Sequence, residues 1–239
     1  MSTGVLVVAH GSRDPRAAPV ARRVAADVAA QLPGVATAAA FLELCAPSPT
    51  EALDQLADSG VEDVAVVPYL LSDAYHSRVD LPAVADLARA RGWTARLGQV
   101  LGPDPRLLDA LGTRLEEALG GAEVDAVVLA AAGSSDVSAN RTVGRVATDL
   151  GARLGLPALC AFASAATPTV ATAVEQFRSC GSARVAVATY LLAPGFFADQ
   201  IRDAALAAGA VAVSEPLGAC PEVAHIVVDR ARLACPDQI

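Results

Sequence analysis

The sequence predicts an α/β protein made of two tandem, similar, doubly wound domains with mostly parallel four-stranded sheets. Three observations lead there. Short apolar runs alternate strictly with longer helical patterns. The runs are continuous and not alternating, as in parallel strands covered on both faces. The chain also repeats itself. Gly11-Ser12-Arg13-Asp14 returns as Gly133-Ser134-Ser135-Asp136. Arg23, Val24, Ala25 and Asp27 recur at the same spacing as Arg145, Val146, Ala147 and Asp149. Gly60, Val64-Ala65-Val66 and Tyr69-Leu70-Leu71 recur as Gly181, Val185-Ala186-Val187 and Tyr190-Leu191-Leu192.

Taken in order, the strands are expected at 4–9, 36–42, 63–71, 95–100, 125–131, 157–163, 184–192 and 210–214. Helices are expected near 15–31, 49–58, 81–91, 105–119, 138–154, 168–179, 198–208 and 221–234. Ser48-Pro49-Thr50-Glu51 is a capping box with proline at the first helical position. Asp80-Leu81-Pro82 reads as a second helix start, and Gly92 and Gly151 as helix stops. The halves are expected to be 1–120 and 121–239, with the linker near Gly120-Gly121-Ala122-Glu123. Each is then roughly 120 residues, an ordinary domain size.

Composition narrows the classes. The 239 residues are 54% hydrophobic but only 4% aromatic, so the core is Ala, Val and Leu. The net charge is −8, and all 18 basic residues are arginine. No basic stripe suggests nucleic acid. Five scattered cysteines form no C-x-x-C, which argues against a disulfide framework and for a reducing, cytoplasmic setting. The apolar run Val5 to Ala9 is too short for a signal peptide, and no run approaches a membrane span.

The repeat also shows where chemistry should lie. Ligands of open parallel sheets bind outside the carboxyl ends of the strands. In the first half His10 ends the first strand, Glu43 follows the second, and His76 lies in the loop after the third. The second half has Ala132, Ser164 and Phe197 at these positions. Imidazoles with a carboxylate suit a borderline divalent metal, and they accept protons near neutral pH. Each residue has a bland alternative: His10 packing at a helix start, His76 exposed in a loop, Glu43 paired with an arginine. Joint placement at three strand ends, lost together in the sister copy, favours one site. The Gly-Ser loops could bind anions with backbone N–H groups, or could simply be capped turns. Neither is a G-x-G-x-x-G or Walker A sequence, so a dinucleotide or ATP is not supported. His225 reads as structural and Cys45 as packing.

Three segments carry a family resemblance. Val7-Val8-Ala9-His10-Gly11-Ser12-Arg13-Asp14, Pro68-Tyr69-Leu70-Leu71 to His76, and Tyr190-Leu191-Leu192-Ala193-Pro194-Gly195-Phe196-Phe197-Ala198-Asp199 resemble the sirohydrochlorin chelatases. The resemblance spans nearly the whole chain and implies an active-site cleft between two halves. It implies a lyase that inserts Fe2+ or Co2+ into sirohydrochlorin without ATP, in sirohaem or cobalamin biosynthesis. His10 and His76 match the family's metal-binding histidines, and Glu43 matches an acidic position nearby. Ser12, Arg13, Arg78, Ser134, Ser135, Arg141 and Arg202 are candidates for the substrate's peripheral carboxylates. Phe197, beside Phe196, offers the macrocycle an apolar face. The metal is then substrate, with no tightly bound cofactor, and a monomer without nucleic-acid or membrane partners is expected. The competing readings are a metal or tetrapyrrole carrier, a phosphoryl hydrolase using His10, and a protohaem-type ferrochelatase.

Overall fold

The computed structural model describes residues 2–72 and 75–239, with side chains described outside 75–79. Among the described residues, strands and helices alternate throughout. The first four strands are β1 (Ser2–Ala9), β2 (Ala36–Phe41), β3 (Val61–Pro68) and β4 (Thr94–Leu97). The next four are β5 (Ala126–Ala131), β6 (Ala158–Phe162), β7 (Val185–Thr189) and β8 (Ala212–Val213). The helices are α1 (Ala17–Gln31), α2 (Pro49–Asp58), α3 (Tyr75–Arg89), α4 (Pro105–Leu119), α5 (Val137–Leu154), α6 (Val170–Ser179), α7 (Phe196–Ala207) and α8 (Pro221–Ala234). They build two four-stranded sheets of order β2-β1-β3-β4 and β6-β5-β7-β8, parallel in every pairing.

Continuous apolar strands are explained by burial on both faces. In sheet 1, Leu6, Val8, Val64 and Val66 pack on Leu53 and Leu56 of α2 and on Leu81, Val84 and Ala88 of α3. The opposite face is covered by α1 and α8, which pack on each other and on the sheet. Val24, Val28, Ile226 and Val227 are fully buried there. Each such side chain contributes about 1.5–3 kcal/mol by leaving water. Sheet 2 repeats the plan, with Val128, Val187, Val174 and Ile201 in one of its cores.

The units do not divide where the linear repeat suggests. One comprises residues 1–102 and 219–239, the other 103–218. Helix α4 therefore leaves the first half of the chain, where a boundary at 120 put it, and packs on β7, β8 and α5. Helix α8 packs reciprocally with unit 1. The physical reason is that each sheet needs a second helix on one face. The stripes of α4 (Leu107, Leu111, Leu115) and α8 (Val223, Ile226, Val227) find that face in the other half's sheet. A polypeptide in which 1–102 is joined to 219–239 is expected to melt cooperatively by circular dichroism. Residues 1–120 alone should not, because the part of the sheet face that α8 covers stays bare. A cooperative melt for 1–120 would contradict the exchange.

Two local expectations shift. Helix α3 begins at Tyr75 instead of Leu81, with Pro82 inside it. An interior proline removes one i→i−4 hydrogen bond and crowds the carbonyl four residues back, a cost that α3 carries. Gly151 is interior to α5, which ends at Gly155 in the left-handed region. A methyl at Gly151 would lie 2.7 Å from Ala158 Cβ, so this glycine allows close helix–strand packing. The Ser48 capping box and Pro49 stand as expected.

Candidate metal centre

In the order β2-β1-β3-β4 the chain leaves β1 toward the α1 face and leaves β3 toward the α3 face. The β1/β3 boundary is thus the switch point of unit 1, the usual ligand position in such sheets. His10 is the first residue beyond β1 there.

The backbone locks Glu43 onto His10. Leu42 N–H donates to Ala9 O and Glu43 N–H to His10 O, both at 3.0 Å. Gly11, at φ +98°, passes so close that a methyl would overlap the Glu43 carbonyl oxygen. Leu44 holds φ 68°, an unfavourable region for leucine. The outcome is a contact of 3.3 Å between His10 Nδ1 and Glu43 Oε1, with side chains 36% and 55% exposed. A carboxylate on one ring nitrogen is the arrangement that orients metal-ligating histidines and fixes their tautomer.

Unit 2 has the same frame with different side chains. Ala163 N–H donates to Ala131 O and Ser164 N–H to Ala132 O, both at 2.9 Å. A methyl on Gly133 would overlap Ser164 O. Ala165 takes the φ of Leu44, at 56°. Ser164 Oγ donates to Ala132 O, closing the frame on itself. Helices α3 and α7 start in register, so His76 and Phe197 are each the second residue of their helix. His76 is therefore helical, where the sequence suggested a loop. The side chains of His76 and Arg78 lie outside the described residues. Among the described residues no group of three His, Cys, Asp or Glu side chains is placed to hold a metal ion.

The predicted anion-binding residues fare unequally. Arg13 and Arg141 are exposed. Arg202 is bound to Glu215, which limits its availability. Ser12 Oγ accepts Asp14 N–H, and Ser134 Oγ accepts Asp136 N–H, both at 3.0 Å. Ser135 is exposed. Ser134 N–H already donates to Asn140 Oδ1 at 3.0 Å, and Asn140 Nδ2 donates to Ser134 O at 2.7 Å. Sequence reasoning misses this clamp; its only signal is an Asn four residues after the capping Asp136. It removes one N–H from the unit 2 loop's anion-binding capacity. Phe197 packs edge-on to Phe196, with centroids 5.5 Å apart. His225 is on the exposed face of α8, and Cys45 Sγ lies 3.9 Å from Glu43 O.

Asp14 anchors the unit 1 loop. Its carboxylate accepts from the side chain and backbone N–H of Arg16, which holds its pKa at about 2. A depressed carboxylate pKa contributes stability above the unfolded value and loses it as pH falls through the folded one. The Asp14–Arg16 clasp should thus persist below pH 3.8 and open near pH 2. An NMR titration of the Asp14 carboxyl checks this; an ordinary aspartate midpoint would refute it.

A duplicated α/β protein of the chelatase fold, with a histidine–carboxylate centre in one copy, is the class these features define. The chain belongs to the CbiX family, whose pattern matches residues 4–118 and 126–234. It is similar to the sirohydrochlorin cobaltochelatase of Priestia megaterium, 27% identical over 208 residues, covering 83% of this chain and 67% of that one. The sirohydrochlorin ferrochelatase of the same organism is 27% identical over 203 residues, covering 83% and 76%. Among solved structures, SirB from Bacillus subtilis with Fe3+ superposes with a TM-score of 0.82 at 24% identity, covering 98% of this chain and 96% of that one. Among the described residues no helix is long and apolar enough to cross a membrane.

Proposed function

We propose that this protein inserts Fe2+ or Co2+ into sirohydrochlorin without ATP, in the formation of sirohaem or a cobalamin precursor. The observation that carries the reading is the His10–Glu43 pair at the switch point of unit 1, in a CbiX-family chain. Metallation exchanges two inner N–H protons of the macrocycle for one dication. The site must hold a partly desolvated ion and accept two protons. Neutral His10 and His76 serve as ligands, and Glu43 orients His10, offsets charge and relays a proton. The metal is substrate, and no resident cofactor is invoked.

Arg13, Arg78 and Arg141, with Ser12, Ser134 and Ser135, take the peripheral carboxylates. Arg202 joins them only by giving up Glu215. Phe197 contributes apolar surface. The protein works as a monomer in the cytosol, without nucleic acid.

The test is anaerobic absorbance of sirohydrochlorin with Co2+ and, separately, Fe2+. Faster insertion than in the protein-free mixture is expected, and the two rates rank the metals. Binding of both ligands without acceleration would overturn the enzyme and leave a carrier.

A further inference from the structure

The Glu43 loop of unit 1 has a fastening that the matching residue of unit 2 cannot supply. Both loops are tied at their far end by a proline carbonyl. Phe41 N–H donates to Pro47 O at 2.9 Å, and Phe162 N–H to Pro168 O at 3.0 Å. In unit 1 an arginine of α1 adds a second tie. Arg22 Nη2 donates to Ala46 O at 2.7 Å, and the guanidinium carbon lies 5.5 Å from the centroid of the Phe41 ring. Arg23 and Arg145 are partners in the repeat, so the residue matching Arg22 is Gly144, which has no side chain to donate. Crowding does not impose that glycine. An added Cβ would lie 3.8 Å from Cys160 Sγ, an ordinary contact.

The stretch that Arg22 ties down is under strain. Cys45 N–H donates to Glu43 O at 2.9 Å across Leu44, which holds φ 68°. A three-residue turn with positive φ is the rare and strained kind. Leu44 is 50% exposed, so burial of its side chain does not hold the turn. The Glu43 side chain is exposed as well, so packing does not fix its rotamer. Backbone ties remain: Leu42 and Glu43 N–H on one side of the turn, Ala46 and Pro47 carbonyls on the other. Arg22 pulls from a firm base, because α1 packs on β2 and buries Ala21, Val24 and Ala25. One guanidinium serves as a charged donor to a carbonyl and as a cation over an aromatic ring.

We infer that Arg22 is a positioning residue for metal insertion: through Ala46 O it holds the strained turn at Leu44 and so keeps the Glu43 carboxylate on His10 Nδ1. In this role it needs no contact with metal or macrocycle. The reaction it serves rests on the chelatase reading, whereas its effect on the surroundings of His10 does not.

The experiment is a double-mutant cycle in the full chain, Arg22→Met against Glu43→Gln, read by anaerobic insertion rates with Co2+ and Fe2+. Methionine keeps an unbranched stem and removes the donor and the charge. Arg22→Met should lower kcat about ten-fold, with KM for sirohydrochlorin within about two-fold. In the Glu43→Gln background it should cost less than about two-fold more, because the carboxylate it positions is already gone. The ring 15N shifts of His10, recorded without metal or macrocycle, should move in Arg22→Met in the same direction as in Glu43→Gln. Circular dichroism verifies folding. Wild-type kcat in Arg22→Met, or a full additive loss in the double variant, overturns the inference. So do His10 shifts that stay at their wild-type values in Arg22→Met. If wild type inserts neither metal, the chelatase reading falls, and the His10 shifts still decide whether Arg22 places Glu43.

Discussion

His10→Ala is expected to slow metal insertion by about two to four orders of magnitude, the range lost with a group that moves protons in the rate-determining step. The histidine follows directly on β1 at the switch point, and its Nδ1 faces Glu43 Oε1 at 3.3 Å. In the proposed mechanism, removal deletes a metal ligand and a proton acceptor together. Stability should change little, within about 0.5 kcal/mol, because the side chain is partly exposed and outside both cores. Glu43→Gln keeps the volume and the backbone lock on His10 O while losing the charge. Its expected cost is about ten- to hundred-fold, the size of effect seen when a partner that orients a metal-bound histidine is altered. Anaerobic initial rates with Co2+ and Fe2+ measure both. Wild-type rates in His10→Ala would remove this site from the mechanism.

Alanine at Gly11 and at Gly133 should destabilise the protein by similar amounts yet affect catalysis differently. Both glycines have positive φ, 98° and 88°. Both pass over a carbonyl, of Glu43 and of Ser164, that an added methyl would overlap. The obstacle is backbone in each case, so no rotamer change relieves it. Strain and overpacking of about 1–3 kcal/mol each give a loss of roughly 2–6 kcal/mol. That corresponds to a fall in Tm of about 4–24 °C for a chain of this size. Gly11→Ala also pushes Glu43 away from His10, so its activity should collapse at temperatures where it remains folded. Gly133→Ala moves only Ser164 and should keep a far larger share of turnover. Calorimetry with insertion rates at low temperature separates the effects. Equal loss of activity in the two variants would refute the assignment of chemistry to unit 1.

The strand–helix order and the paired sheets were legible because continuous apolar runs and their spacing are local properties. His10 and Glu43 were legible because each directly follows a strand, and strand ends converge on one edge of a parallel sheet. Their asymmetry with Ala132 and Ser164 was legible because the repeat aligns the copies. Less was legible in the loops. Arg202 read as a candidate for the substrate's carboxylates, but Glu215, thirteen residues on, reaches it only through the fold of α7 and β8. Asn140 falls within the helix expected near 138–154, and only the fold shows its amide closing on both backbone groups of Ser134.

The sequence by itself determined a duplicated parallel α/β chain with one titratable copy and one apolar copy, since composition and period are written in it directly. Tertiary structure alone decided that α4 and α8 change places between the units, and that Gly151 packs inside a helix instead of ending it. The stripes of α4 and α8 fit either sheet as a pattern. Which face an apolar stripe covers is settled only by which uncovered surface lies within reach of the folded chain, and that is a property of three dimensions.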